Sequence, residues 1–175
     1  MKKNKPIVFV GLMGAGKTRI GREVAKRLEM MFVDSDSEIE RAAGYSVSEI
    51  FERYGEAAFR SGEQKVIKRL LSDEPLVIAT GGGAFMNDDT RSLILEKSVS
   101  IWLKADLKTL VERTSRTNHR PLLQQGNPEE ILRGLIQKRD PVYAQAHIHV
   151  GTGEDNPVKM AKKVISDVEN YLNNN

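Results

Sequence analysis

Short apolar runs, separated by longer mixed stretches, recur along the chain. Most of them are rich in β-branched residues, a composition typical of buried strands. The runs are Ile7–Val10, Met31–Val33, Leu76–Ala79, Val99–Leu103 and His147–Val150. They predict the strands of one sheet.

Between these runs, apolar residues return every three or four positions, which is the spacing of one helix face. Ile20, Val24 and Leu28 show it most clearly. Further helices are predicted around Val66–Leu71 and Leu107–Val111. Strands that alternate with helices predict a parallel sheet covered on both faces.

Polar residues indicate where several helices begin. Ser35–Glu38 and Ser46–Glu49 both fit the capping-box pattern, in which a serine and a glutamate three positions later cap the helix start. Asn127 and Asn156 each precede a proline, which suits the first turn of a helix. The four segments therefore predict four helix starts.

Two connections are too long for a simple strand–helix–strand alternation. Several helices are expected between the second and third strands. The polar segment 114–127, with Arg116 and Arg120, separates the fourth strand from the fifth. Insertions of this kind usually carry substrate contacts in an α/β fold.

The composition fits one ordinary globular domain of 175 residues. The net charge of +3 comes without a dense Lys/Arg block, so we expect no nucleic-acid partner. There is no cysteine, which excludes disulfide and thiolate chemistry. With no apolar stretch of membrane-spanning length and no signal-peptide pattern, we expect a cytoplasmic protein with no membrane partner. Single-domain length favours a monomer.

The stretch GLMGAGKT, Gly11–Thr18, follows the first predicted strand and opens the first predicted helix. It meets the pattern G-x-x-x-x-G-K-[ST], whose curled backbone and helix start bind phosphate. Lys17 would reach the β- and γ-phosphates, and the Thr18 hydroxyl would bind Mg²⁺. A plain strand–helix turn is the alternative, but the context favours nucleotide binding. The residues assigned to the nucleotide here are Gly14, Ala15, Gly16, Lys17 and Thr18.

Among nucleotide-binding proteins, a small-molecule kinase fits best. A GTPase would need Asn-Lys-x-Asp, but the Asn4–Lys5 pair lacks the aspartate and precedes the first strand. A kinase needs an acceptor pocket and a closing lid, which the two long connections could supply.

Acidic residues follow the second predicted strand, at the sheet edge where ligands bind in open α/β folds. Asp34 ends the strand and Asp36 lies in the next helical turn. Both could be ordinary acids at a helix start. Beside a phosphate loop, one can hold Mg²⁺ through water and the other can accept a hydrogen bond from the attacking hydroxyl.

A run of three glycines, Gly81, Gly82 and Gly83, follows the third strand and indicates close approach of a ligand to the backbone rather than a flexible turn. Arg60 lies one helical turn before Glu63, where a surface ion pair is the alternative reading. Arg139 lies near a helix end and could be a solvated charge. If the two arginines converge, they would clamp a carboxylate.

These motifs together resemble the shikimate kinase family. They fall in order from Gly11 to Tyr143: GLMGAGKT, FVDSD, IFERYGEAAFRSGE, ATGGGA, RPLL and RDPVY. The resemblance implies one domain, 1–175, with a three-layer α/β/α P-loop kinase fold and a five-stranded parallel sheet in the order 2-3-1-4-5. It also implies a substrate-binding subdomain at about 34–63 and a lid at about 114–127.

The implied reaction transfers the γ-phosphoryl group of ATP to the 3-hydroxyl of shikimate, on the pathway to chorismate and aromatic amino acids. By resemblance, Asp36 binds the ring hydroxyls and acts as base or orienter. Arg60 and Arg139 grip the carboxylate beside the backbone of Gly81–Gly83.

On the nucleotide side, the resemblance implies Mg²⁺ at Thr18 and Asp34. It places Arg120 on the lid, where it joins Lys17 and Asp36 as a catalytic residue. Arg113 and Pro157 are expected near the adenine.

Three other interpretations remain. A gluconate kinase shares the phosphate loop and lid, although the two arginines and the triple glycine argue against it. A nucleoside monophosphate kinase would take a phosphate as its acceptor. A non-catalytic nucleotide-binding domain would be expected to lack Lys17, Asp36 or Arg120. The residue His147 departs from the family pattern, and we expect it to have a packing or surface role.

Overall fold

Strands and helices alternate along most of the chain in the computed structural model, which describes residues 5–72, 74–116, 126–153 and 156–174. The strands are β1 (Ile7–Val10), β2 (Phe32–Asp34), β3 (Val77–Ala79), β4 (Val99–Ala105) and β5 (Ile148–Thr152). The helices are α1 (Lys17–Leu28), α2 (Ser35–Ala43), α3 (Val47–Leu70), α4 (Asp88–Lys97), α5 (Leu107–Ser115), α6 (Pro128–Tyr143) and α7 (Pro157–Asn173). A short 3₁₀ helix, Ala84–Met86, precedes α4.

The five strands form one parallel sheet in the order β2-β3-β1-β4-β5, which confirms the order implied by the family resemblance. β1 lies at the centre, where Ile7 pairs with Val77 on one side and Val99 on the other. Since the strands run the same way, the loops after β1, β2 and β3 lie at one edge of the sheet.

The core explains why the strands read as unbroken apolar runs. Every residue of β1 is buried, as expected for a sheet covered on both faces. On α1, Ile20 and Val24 turn inward at helical spacing. β4 extends two residues beyond the predicted Leu103, because the exposed Lys104 breaks the apolar pattern without ending the strand.

Most predicted helix starts are confirmed. Ser46 and Glu49 form the capping box that begins α3, and Asn127 and Asn156 cap α6 and α7. The capping box predicted at Ser35 is wrong. Asp34 is the cap there, because its carboxylate accepts the Asp36 N–H, and Ser35 is already helical and buried.

One helix carries a kink. Inside α3, Gly55 has φ 78° and ψ 172°, so the helix is interrupted ahead of Arg60. No helix of the described part of the chain has the length and apolar character needed to cross a membrane.

Candidate active site

The loop between β1 and α1 has the backbone of a phosphate cradle. Gly14 and Gly16 lie at φ 81° and φ 96°, a left-handed conformation that glycine adopts without strain. Lys17 begins α1, and its Nζ donates to the carbonyls of Gly11 (2.7 Å) and Leu12 (2.9 Å). The ammonium group is thus held over the loop, where a phosphate would lie.

Two oxygen-bearing side chains meet at the end of this loop. The Thr18 hydroxyl donates to Asp34 Oδ2 over 2.9 Å, while Asp34 Oδ1 caps α2. These are hard oxygen donors of the kind that Mg²⁺ prefers. No group of three or more His, Cys, Asp or Glu residues within the described ranges could hold a metal.

Asp36 and Glu63 place two buried carboxylate oxygens close to Gly81. A Cβ atom at Gly81 would lie 2.6 Å from Asp36 Oδ1 and 3.1 Å from Glu63 Oε1. Neither of these oxygens has a hydrogen-bond partner among the described residues. Burial, followed by the charge of Asp34, raises the pKa of Asp36. Buried acceptors are normally satisfied, so this arrangement suits a ligand that carries hydroxyl groups.

Arg60 packs against Gly83 and forms an ion pair with the buried Glu63. Its Nη1 lies 2.7 Å from Glu63 Oε2, and the Glu63 side chain is only 2% exposed. Burial raises the pKa of Glu63 to about 6, although the neighbouring arginine opposes that shift. A Cβ atom at Gly83 would lie 2.6 Å from Arg60 Cζ. The pair is therefore not the exposed surface pair that the spacing also allowed.

Arg139 reaches the same loop from α6. Its Nη1 donates to the Gly82 carbonyl over 3.1 Å, and the Tyr143 hydroxyl donates to the same oxygen. The position of a Cβ atom at Gly82 is 3.6 Å from the Met13 nitrogen of the phosphate loop. Both predicted arginines therefore lie at adjacent glycines beside the nucleotide cradle.

Arg113 joins two loops on the nucleotide side. Its Nη1 donates to the Gly14 carbonyl over 3.2 Å, and its Nη2 donates to the Gly153 carbonyl. Pro157 is the first residue of α7, directly after the Asn156 cap. The structure thus places Arg113 at the phosphate loop, and Pro157 begins the helix that follows the Gly153 loop.

The predicted lid falls largely on residues that are not described. Arg120 lies in the segment 117–125, outside the described residues. At the lid's predicted ends, Thr114 and Ser115 belong to α5, and Asn127 caps α6.

Two further side chains of the site were not assigned a role from the sequence. The sequence marks Glu63 only through its spacing from Arg60, and this spacing does not predict burial. Tyr143 follows Arg139 by four positions, so the two share a helix face. That spacing was the available signal, but the partner of Tyr143 is a backbone carbonyl 61 positions away.

Known proteins resemble this chain in sequence. The sequence model of the shikimate kinase family matches residues 13–169. A shikimate kinase of Paramagnetospirillum magneticum is 51% identical over 168 residues, covering 96% of this chain and 86% of the relative. One from Caulobacter vibrioides is 53% identical over 161 residues, covering 92% and 80%.

Solved structures show the same likeness. A shikimate kinase from Acinetobacter baumannii in complex with shikimate has a TM-score of 0.92 and 39% identity, covering 95% of this chain and 94% of that one. A gluconokinase from Sinorhizobium meliloti has a TM-score of 0.62 at 17% identity, covering 99% and 97%, and so shares the fold alone.

Proposed function

Since the chain belongs to the shikimate kinase family, we propose that it transfers the γ-phosphoryl group of ATP to the 3-hydroxyl of shikimate. It is an ATP-dependent phosphotransferase of the pathway to chorismate and the aromatic amino acids. One observation carries the choice of acceptor. Arg60 and Arg139 come from different helices and contact adjacent glycines beside Asp36 and the phosphate loop.

The acceptor's carboxylate would lie between the two guanidinium groups. Arginine binds carboxylates through paired, charge-assisted hydrogen bonds, which also fix their orientation. The backbone of Gly81–Gly83 would approach the substrate closely, because these three residues carry no side chains of their own. Asp36 accepts a hydrogen bond from the reacting hydroxyl and orients it, since Asp36 Oδ1 is a buried acceptor without a described partner.

The nucleotide side neutralises charge. Lys17 and the N–H groups of the phosphate loop, Gly14–Thr18, bind the β- and γ-phosphates. Arg120 is proposed to close over them from the lid, and Arg113 and Pro157 to border the adenine. Thr18 and Asp34 would hold Mg²⁺, directly or through water, and the ion would offset negative charge on the phosphates.

Catalysis then rests mainly on positioning and electrostatics. Phosphoryl transfer passes through a loose transition state, so the proton of the attacking hydroxyl need not leave early. Asp36 supplies orientation first and accepts the proton as the new bond forms. Preorganised cations around the phosphoryl group supply most of the rate.

We further propose that residues 34–63 act as a substrate-binding subdomain, residues 114–127 as a lid, and the whole as a cytoplasmic monomer. Light scattering coupled to size exclusion tests the last point. A mass near 19.6 kDa supports a monomer, and a doubled mass contradicts it. Equal hydrogen exchange in 114–127 with and without ATP would contradict a lid.

The substrate is tested by ADP release from Mg-ATP in the presence of shikimate, gluconate or a nucleoside monophosphate. We expect ADP release with shikimate and with neither of the other two acceptors.

Asp36→Asn should reduce kcat by orders of magnitude with little change in ATP binding. Arg60→Ala should mainly raise KM for the acid. Release with gluconate and not shikimate would overturn the proposal.

A further inference from the structure

The Gly82 carbonyl receives two hydrogen bonds from one helix. Arg139 and Tyr143 lie four positions apart on α6, and Arg139 Nη1 and Tyr143 Oη both donate to this oxygen. A carbonyl oxygen has two lone pairs, so it can accept both donors together. Two side chains of α6 therefore fix the backbone of this loop at Gly82.

Tyr143 is the fixed member of the two. Its side chain is fully buried, and its ring contacts the rings of Phe85 and Trp102, whose centroids are 6.4 Å and 6.1 Å away. The rings are within 19° and 29° of parallel. Burial raises the pKa of Tyr143 to about 12, so the hydroxyl remains a donor across the physiological range.

Arg139, unlike Tyr143, also has a proposed role in binding the substrate. Under the proposed function it binds the acceptor's carboxylate, and a paired contact needs the donors of its planar guanidinium fork. One of these, Nη1, now points at Gly82. Hydrogen bonds between two charged groups are stronger than those to a neutral carbonyl, so the substrate would draw Arg139 away from the loop.

We propose that Tyr143 is a positioning residue that keeps the Gly82 carbonyl hydrogen-bonded while Arg139 turns to the substrate carboxylate. This inference rests on the proposed function. Without the phenol, the departure of Arg139 would leave a part-buried carbonyl without either donor. The peptide between Gly82 and Gly83 would then lose its fixed orientation, and Gly83 is the glycine that packs on Arg60.

Kinetics of Tyr143→Phe test the proposal. We expect KM for shikimate to rise about tenfold, which is a typical effect of losing one such hydrogen bond, while kcat falls much less and KM for ATP hardly changes. With the methyl ester of shikimate, which offers no carboxylate charge to Arg139, KM should differ little between the variant and the wild type.

A packing control separates the hydrogen bond from the ring. Trp102→Phe alters the surface on which the Tyr143 ring lies but keeps the phenol, so it should lower Tm and leave KM for shikimate within about twofold. An unchanged KM for shikimate in Tyr143→Phe, with an active wild type, overturns this inference alone. A wild type without shikimate-dependent ADP release overturns the proposed function and this inference with it.

The wild-type protein allows a test that needs no variant to fold. In a crystal structure with shikimate bound, Tyr143 Oη should remain within hydrogen-bond distance of the Gly82 oxygen, and Arg139 should contact the carboxylate instead. Arg139 still bonded to Gly82, or a Tyr143 hydroxyl that has left it, would contradict the proposal.

Discussion

Arg60 Nη1 and Glu63 Oε2 lie 2.7 Å apart, in an ion pair whose acidic member is buried and whose basic member faces the triple glycine. The Arg60 side chain is 26% exposed, against 2% for Glu63. The carboxylate therefore holds the arginine from the protein side, and part of the arginine side chain remains exposed. In this way α3 would present a cation to the proposed acceptor site.

Glu63→Gln should raise KM for shikimate about tenfold, because a hydrogen bond between charged groups contributes roughly 1.5–3 kcal/mol. The kcat should change less, since Asp36 and the phosphate loop are untouched. Steady-state kinetics at saturating ATP measure both values.

Glu56→Gln is the matched control. Glu56 lies 3.4 Å from Arg60 Nη2, but its side chain is 69% exposed, and exposed pairs contribute little. We expect its KM to stay within about twofold of the wild type. Equal effects of the two variants would mean that burial of the pair does not matter.

Gly83→Ala should impair acid binding without unfolding the protein. The added Cβ would lie 2.6 Å from Arg60 Cζ, so the guanidinium must move from its present position. We expect KM for shikimate to rise more than tenfold and KM for ATP to stay unchanged. Gly134→Ala adds the same atom in α6, where nothing lies within 4 Å.

The Gly134 variant should keep wild-type KM values and gain about 0.5–1 kcal/mol of stability, because alanine favours a helix over glycine. If Gly83→Ala binds shikimate as the wild type does, the contact between Gly83 and Arg60 has no role in binding.

The family resemblance predicted the sheet order and the residues proposed for the site, and the pattern of apolar residues predicted the strands. The prediction that was wrong came from a local pattern, the capping box at Ser35. Ser35 matched a capping pattern but is buried, and its hydroxyl accepts the Gly81 N–H over 3.2 Å. A pattern within four residues cannot include a partner from a loop 46 positions away. The burial of Glu63 could not be predicted for the same reason, because Glu63 packs near Gly81, which is distant in the sequence.

Acidic pH should weaken binding of shikimate before the substrate itself is neutralised. The pKa of Glu63 is raised to about 6 by burial, so its charge is lost as pH falls below that value. Ordinary carboxyl groups titrate at about 4. We expect KM for shikimate to rise between pH 7 and pH 5, as Arg60 loses its anionic partner.

Glu63→Gln separates the two carboxyl groups in this pH range. Burial also raises the pKa of Asp36, whose protonation should lower kcat as pH falls. In the variant, KM for shikimate should therefore change less with pH, whereas kcat should still fall as the pH is lowered. A KM profile with the same slope in wild type and variant would show that another group titrates.

His147 should make the protein less stable in acid. The Ser100 N–H donates to His147 Nδ1 over 3.1 Å, so this nitrogen must be unprotonated in the fold. Burial, helped by the charge of Lys5, lowers the pKa of His147 below its usual 6.5. His147 thus has the packing role expected of it, because its contacts with Ser100 join β4 to the residue before β5.

The direction follows from proton binding. Below about pH 6.5 the unfolded chain binds a proton at His147 more readily than the folded chain does. The contribution of His147 to the free energy of unfolding is therefore complete above that pH and is lost as the pH falls. Urea unfolding at pH 7.5 and pH 5.5 should show a smaller loss of stability for His147→Gln than for the wild type. An equal loss in both proteins would rule out His147 as the cause.

The most direct test of the central claim is the identity of the product. After incubation with Mg-ATP and shikimate, ³¹P–¹H NMR should show a phosphate ester coupled to the ring proton at carbon 3, formed in step with ADP. A phosphate on another hydroxyl, or ADP formed without any phosphorylated shikimate, would contradict the account.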